Sequence, residues 1–337
     1  MRLPALAPVA TAAAAAALFA ASPAAAQADL SLIKAKTNPK GHCFADDVAA
    51  PRPALWRVAD ADSRIYLFGT IHSLPSATCW QDARITRAIA DADMLVTEIG
   101  PGEPPIFEMI GYVAEAAFDP SNPPLRERLD PRYHPTLDRL LAAQEMPLPE
   151  SFYDKIDSWA LVEGLLDGLL GESAGEEDDS GVEEELEMQF DAMRKPHGAL
   201  ETLRFQVQMS DDYSQELQDA WLDSWFARHE AGPEESVAEW NAMLERWRTG
   251  RPLGLQALLA TEGPAIVAHH AEAAPGMTEE YLERLLYARN RNWVDWIEAR
   301  LETPGTVFVA VGAGHLDGDR SVIDYARRRG LPVERID

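Results

Sequence analysis

The chain has 337 residues, of which 56 are acidic and 30 are basic, so its formal net charge at pH 7 is −26. A protein this acidic repels nucleic-acid phosphates and anionic membrane surfaces, and the composition argues against binding to either. The length allows one domain with a large core or two small domains.

Residues 1–26 have the pattern of a secretory signal peptide. One basic residue, Arg2, precedes a long alanine-rich apolar stretch that ends in Ala24-Ala25-Ala26, which is typical of signal-peptidase cleavage. A membrane anchor is the weaker interpretation, because alanine is only mildly apolar and no cationic flank follows. We predict a periplasmic or secreted protein without stable membrane insertion after cleavage, in which residues 27–53 form a polar N-terminal arm.

The chain contains two cysteines, Cys43 and Cys79. In an oxidising compartment two cysteines more often pair than stay apart, which predicts a disulfide that ties the arm to the loop after His72. Two buried thiols are the alternative. A zinc site is disfavoured because no Cys-x-x-Cys spacing accompanies either residue.

Two strand-like runs each end in the motif Gly-x-x-His. The apolar run 64–71 contains Gly69 and leads to His72, and the run 306–311 leads to Gly312 and His315. A helix-like segment and a second strand-like run follow each motif. This pattern predicts a diverged internal repeat of β-loop-α-β units, with both histidines on one edge of one sheet.

Charged residues occur where apolar elements end or face inward. Glu98 ends the strand-like run 94–99, and Glu201 lies in the short strand-like run 199–203. A buried carboxylate must be solvated, paired or bound to a cation. Arg289 falls on the apolar face of a helix that starts near Thr278, so it needs an anionic partner. Glu98, Glu201 and a substrate oxyanion are all open as that partner, and so is a purely structural salt bridge.

The middle of the chain is mainly helical and predicts a cap on the sheet. Prolines divide residues 104–171 into short helices, and the tryptophans of residues 211–248 are best interpreted as core or cap packing. The acidic run 172–187 is interpreted as a solvated loop that leads into a helix from Val182. His269 and His270 are adjacent and point about 100° apart on a helix, so we treat them as surface or cap residues.

Taken together, these motifs resemble the TraB/PrgY/GumN family, which is related to the Tiki proteases, and look most like its bacterial GumN-type secreted members. The resemblance runs from Leu55 to the C-terminus. It rests, in chain order, on Gly69 to His72, Glu98, the Gly-Val-Glu segment 181–183, the Leu-Glu-Thr-x-x-x-Gln segment Leu200 to Gln206, the Arg-Asn-x-x-Trp stretch Arg289 to Trp293, and Gly312 to His315. The sequence departs from the family pattern at Glu183, where the family has aspartate.

The resemblance implies an α/β fold like that of the erythromycin-esterase and ChaN-like proteins. The expected domain covers residues 54–337, with a central sheet and a helical insertion at about 104–300. Through the Tiki relatives the resemblance also implies metal-dependent protease activity, with manganese or cobalt as the metal.

The strand-end geometry and the resemblance point to the same sheet edge, where open α/β sheets place their sites. His72, Glu98 and His315 are the predicted ligands of a divalent metal, with manganese or cobalt expected and zinc an open alternative. Such a metal lowers the pKa of a bound water and polarises a carbonyl. We therefore predict a metallohydrolase that acts on a peptide or another small polar substrate.

The remaining predicted roles are catalytic. Glu98 or Glu201 is expected to be the general base, and Arg289 or Asn290 is expected to stabilise the oxyanion. Two other functions stay open at this point. One is a metal-independent hydrolase in which His72 is the general base and Glu98 orients it. The other is a non-catalytic protein that sequesters a peptide or a glycan.

Overall fold

The computed structural model describes residues 51–72, 74, 78–100, 106–143, 148–165, 181–254 and 275–337. The predicted signal peptide, most of the N-terminal arm, Cys43, His269 and His270 lie outside the described residues, so the predictions made for them are untested.

The fold is built on one six-stranded sheet. Its strands are β1 Leu55–Ala59, β2 Ser63–Thr70, β3 Met94–Ile99, β4 His197–Glu201, β5 Gly305–Gly312 and β6 Val333–Arg335. Their order across the sheet is β4-β3-β5-β2-β1-β6. The strands β2, β3, β4 and β5 are mutually parallel, and β1 runs antiparallel to both β2 and β6. The predicted mixed α/β fold with a central sheet is confirmed.

The central strands are apolar on both faces because helices cover both sides of the sheet. In β2 the side chains of Tyr66 and Phe68 pack into one buried cluster, and those of Ile65 and Leu67 pack into another on the opposite face. The strand β5 divides in the same way, with Phe308 in the first cluster. The alternation follows from the two-residue period of a strand.

Helices form the two covering layers and a separate cap. They are α1 Ala83–Asp91, α2 Ile106–Ala116, α3 Leu125–Arg128, α4 His134–Ala143, α5 Glu150–Tyr153, α6 Ser158–Ala160, α7 Val182–Ala192, α8 Leu203–Asp211, α9 Gln215–Ala231, α10 Pro233–Arg248, α11 Pro275–Leu282, α12 Ala288–Leu301 and α13 Val322–Arg328. A third buried cluster joins the cap helices and includes Trp221, Trp225 and Phe226. These aromatic residues are therefore core residues of the cap.

One feature of the helices bears on the site. A π-helical turn, Glu283–Tyr287, immediately precedes α12, and such turns occur frequently at functional sites.

Within the described part of the chain, none of the helices has the length and apolar character needed to cross a membrane.

Candidate functional site

The two histidine motifs lie side by side at the carboxyl edge of the sheet. Strands β2 and β5 are parallel neighbours, and their last residues, Thr70 and Gly312, are paired. A Cβ atom on Gly69 would lie 2.8 Å from the Cα atom of Ala313. Only glycine therefore allows the short 3-10 helix Ala313–Leu316, which carries His315, to pack so closely on β2.

His72 is an exposed imidazole held by a carboxylate. Its side chain is 67% exposed, and its Nδ1 lies 2.9 Å from Oε1 of Glu183. The hydroxyl of Thr70 donates to the same oxygen at 2.5 Å. The other oxygen of Glu183, Oε2, is buried and has no hydrogen-bond partner. Glu183 thus orients the His72 imidazole through Oε1, and its Oε2 is an acceptor that no hydrogen bond uses.

The segment before α7 delivers Glu183 to His72. The amide of Val182 donates to the carbonyl of Ile71 at 3.0 Å, so this segment lies against the chain just before His72. A Cβ atom on Gly181 would lie 2.4 Å from the His72 carbonyl oxygen, so the approach requires glycine. The longer glutamate, present where the family has aspartate, still reaches the imidazole.

Arg289 bridges the two glutamates that end β3 and β4. Its Nη2 lies 2.5 Å from Oε2 of Glu98 and 2.9 Å from Oε2 of Glu201, and its Nε donates to both oxygens of Glu201 at 3.0 Å. Its Nη1 donates to the carbonyl of Leu285, inside the π-helical turn, at 3.0 Å. The arginine side chain is 4% exposed. Both glutamates proposed as its partners are therefore in contact with it.

Glu98 is held as an anion. Its Oε1 accepts from the amide of Gly312 at 2.8 Å and lies 3.8 Å from Nε2 of His315. Burial acts to raise the pKa of Glu98, but His315, the guanidinium of Arg289, the Gly312 amide and His72 together lower it to about 2. The contribution from His72 means that this side chain also lies within electrostatic reach of the cluster.

His315 is neutral, and its tautomer follows from its neighbours. The amide nitrogen of Asn290 donates to the carbonyl of Arg320 at 2.9 Å, which leaves Oδ1 to face Nδ1 of His315 at 2.6 Å. Nδ1 therefore carries the proton, and Nε2 accepts from Nη1 of Arg289 at 3.3 Å. Burial lowers the pKa of His315 to about 3, although the charge of Glu98 opposes this shift. At neutral pH Nε2 of the buried ring is therefore unprotonated and occupied by the Arg289 hydrogen bond.

A family model matches the part of the chain that carries these residues. The TraB/PrgY/gumN family model matches residues 54–335, which is most of the chain. The chain belongs to the TraB/PrgY/gumN family. Comparison with curated proteins and with solved structures gave no match.

The predicted site residues of this TraB/PrgY/gumN protein fall into two contacting groups. One group is His72 with Glu183, and the other joins Glu98, Glu201, Arg289 and His315. The carboxylate that contacts His72 is Glu183 rather than Glu98, because β5 lies between β2 and β3 in the sheet.

Asn290 has a different position from the one expected of an oxyanion donor. It is 1% exposed, and both polar atoms of its amide are engaged. Its geometry orients His315, and we revise its predicted role accordingly. Arg289 is similarly buried and is engaged through all three of its nitrogens.

The donor chemistry at this edge fits a divalent cation. A metal requires an unprotonated imidazole nitrogen and an ionised carboxylate, which are the protonation states of His315 and Glu98, although Arg289 contacts both side chains. The partnerless buried oxygen of Glu183 is a further acceptor. Within the described ranges, no three His, Cys, Asp or Glu side chains form a group at metal-binding spacing. The ligand set of His72, Glu98 and His315 stays a prediction.

Two functional contacts were not found from the sequence. The sequence marks Thr70 as a strand residue, and the two-residue period of an extended chain, which places it on the same side as His72, is the signal for its contact. For Glu183 the sequence shows only a departure from the family pattern. Its pairing with His72 depends on a contact between segments more than 100 residues apart, which periodicity does not encode.

Proposed function

We propose that this TraB/PrgY/gumN protein is an exported hydrolase that cleaves a peptide bond with an activated water at the carboxyl edge of the sheet. The observation that carries the proposal is the exposed imidazole of His72, held at 2.9 Å by Glu183. A positioned base with a carboxylate orienter is the arrangement that water activation requires. The neutral His315 and the ionised Glu98 lie at the same edge.

In the metal-dependent form, His72, Glu98 and His315 would hold manganese, cobalt or zinc. When bound, the ion supplies a water of lowered pKa and polarises the substrate carbonyl. Asn290 keeps Nδ1 of His315 protonated, so that Nε2 remains the donor atom. Glu201 and Trp293 hold the guanidinium of Arg289 in place, since Trp293 Nε1 donates to Glu201 Oε1 at 2.8 Å.

A second candidate is the same hydrolysis without a metal. The contact of Arg289 with both Glu98 and His315 favours it, because the guanidinium already supplies positive charge to the atoms that a metal would use. In this form His72 removes the proton from water while Glu183 stabilises the resulting imidazolium. The two candidates share the reaction class and the use of His72, which is a metal ligand in the first candidate and the general base in the second.

Elemental analysis and activity on one preparation test both candidates. Protein purified without chelator is analysed for divalent metals and assayed against a peptide library, together with His72→Ala and His315→Ala. The metal-dependent form predicts that each variant loses most of the bound ion and the hydrolysis while folding cooperatively.

Full metal content with lost activity in both histidine variants would select the metal-independent form. Unchanged metal content and activity in both variants would refute the site. A binding protein would instead retain peptide without cleaving it.

A further inference from the structure

The edge strand β4 has an open hydrogen-bonding side. The amide of Leu95, which is paired with His197, donates to the carbonyl of Pro196 at 3.1 Å. Backbone N–H and C=O groups alternate in direction along a strand of a parallel ladder. This hydrogen bond therefore means that the backbone groups of Gly198 and Leu200 point toward β3, and that those of His197, Ala199 and Glu201 point outward. Ala199 is exposed, and no hydrogen bond joins these outward groups to another described residue.

The strand β4 also lacks most devices that block an edge. Its sequence is His-Gly-Ala-Leu-Glu, without lysine or proline. The opposite edge strand, β6, has three residues and exposes the charges of Glu334 and Arg335. Among the described residues, the β4 edge therefore combines a small exposed side chain, Ala199, with outward donors and acceptors that pair with no other described residue.

An apolar cavity of about 570 Å³ lies at the carboxyl end of β4. Ile99, Met109, Tyr112 and Leu203 contribute its apolar walls, and Glu201 lines it as well. The guanidinium of Arg204 covers the Tyr112 ring at 4.2 Å. Glu201, which lines the cavity, also contacts Arg289 of the proposed catalytic site, so the two are neighbours.

We propose that β4 and this cavity form a docking site for an extended peptide substrate with an apolar side chain. The peptide adds a strand to β4 and places the side chain in the cavity. The net charge of −26 disfavours an acidic peptide. That a docked peptide is then cleaved rests on the proposed function. Peptide binding to β4 and the cavity does not require a catalytically active site.

The geometry sets a minimum peptide length. The strand order β4-β3-β5-β2 places an added strand four spacings, about 19 Å, from β2 and His72. Because an added strand runs along β4 and not across the sheet, about six extended residues at roughly 3.3 Å each must span that distance in addition to the residues paired with β4. Peptides shorter than this are expected to be cleaved poorly, because they cannot occupy the edge and reach His72 together.

The test uses fluorescent decapeptides that contain arginine and one central leucine, and a matched set in which aspartate replaces that leucine. Binding is measured by anisotropy to the full chain carrying His72→Ala. Adding Ala199→Pro removes one outward amide and leaves the ladder with β3 intact, so affinity is expected to fall about 3- to 10-fold. Ala199→Ser keeps the amide and is the control.

Met109→Glu puts a charge in the cavity without altering the sheet and is expected to abolish the preference for leucine over aspartate. Failure of every peptide to bind, or binding that ignores both Ala199→Pro and Met109→Glu, would overturn the docking site. If the wild type cleaves peptides and Ala199→Pro cleaves them equally well, only the docking site fails. If edge-dependent binding occurs and the wild type cleaves nothing, the proposed function fails and the docking site stands.

Discussion

Replacing Arg289 by methionine tests the buried charge cluster. The change removes the cation that neutralises Glu98 and Glu201, whose side chains are 16% and 6% exposed. Truncating one partner of a buried ion pair costs roughly 3–5 kcal/mol, because the charge left behind loses its counterion in a site largely closed to water. Arg289→Met should therefore lower the free energy of unfolding by about that amount.

A matched control lies five residues earlier. Arg284 reaches Asp212 and Glu280 only at 3.7 and 3.9 Å, and its side chain is 38% exposed. Arg284→Met should lower the free energy of unfolding by less than about 1 kcal/mol, because exposed ion pairs contribute no more than that to stability. Arg289→Lys should cost an intermediate amount, since an ammonium cannot reproduce the paired contacts with Glu201.

The assay is urea unfolding followed by both circular dichroism and tryptophan fluorescence, so that two-state behaviour is checked. If Arg289→Met and Arg284→Met destabilise the protein equally, and by under 1 kcal/mol, the cluster does not hold its carboxylates as charged groups.

Three further predictions concern other parts of the chain. Burial raises the pKa of Asp157, which accepts from Asn122 at 2.6 Å, so its ionisation opposes folding increasingly as pH rises above the unfolded pKa. Asp157→Asn should gain stability relative to the wild type over that rise in pH, and parallel pH profiles from urea unfolding would contradict this. The Cys43–Cys79 disulfide should contribute roughly 3–4 kcal/mol, and two reactive thiols in denatured exported protein would refute it. Mass spectrometry of the exported protein should find Gln27 at the N-terminus, and an intact Met1 would rule out cleavage.

The sheet and the outline of the site were predictable because short patterns encode them. Continuous apolar runs identified β2 and β5, and Asp82, which caps α1 by accepting from the amides of Arg84 and Ile85, marks where that helix starts. Strand direction then placed His72, Glu98 and His315 at one edge. The internal repeat and the division into a domain with a helical insertion stay predictions.

The pairings within the site were not predictable from local pattern. Inserting β5 between β2 and β3 separates His72 from Glu98, and the order of strands in a sheet depends on long-range packing. Glu183 reaches His72 only because Gly181 allows a backbone contact. The inward orientation of Arg289 was predictable from the helix period, but its simultaneous contact with two glutamates required the side-chain geometry.

The most direct measurement of the central claim is the rate of peptide hydrolysis by His72→Ala beside His197→Ala. Both histidines lie 2.9 Å from a carboxylate oxygen, which belongs to Glu183 for His72 and to Asp191 for His197. His197 is the first residue of β4, so it lies at the amino ends of the parallel strands, away from the carboxyl ends that carry the proposed site. Losing a general base or a metal ligand at the proposed site should lower kcat/KM by roughly 10²- to 10⁴-fold in His72→Ala. His197→Ala should keep wild-type activity, and equal rates for the two variants would contradict a hydrolytic site at His72.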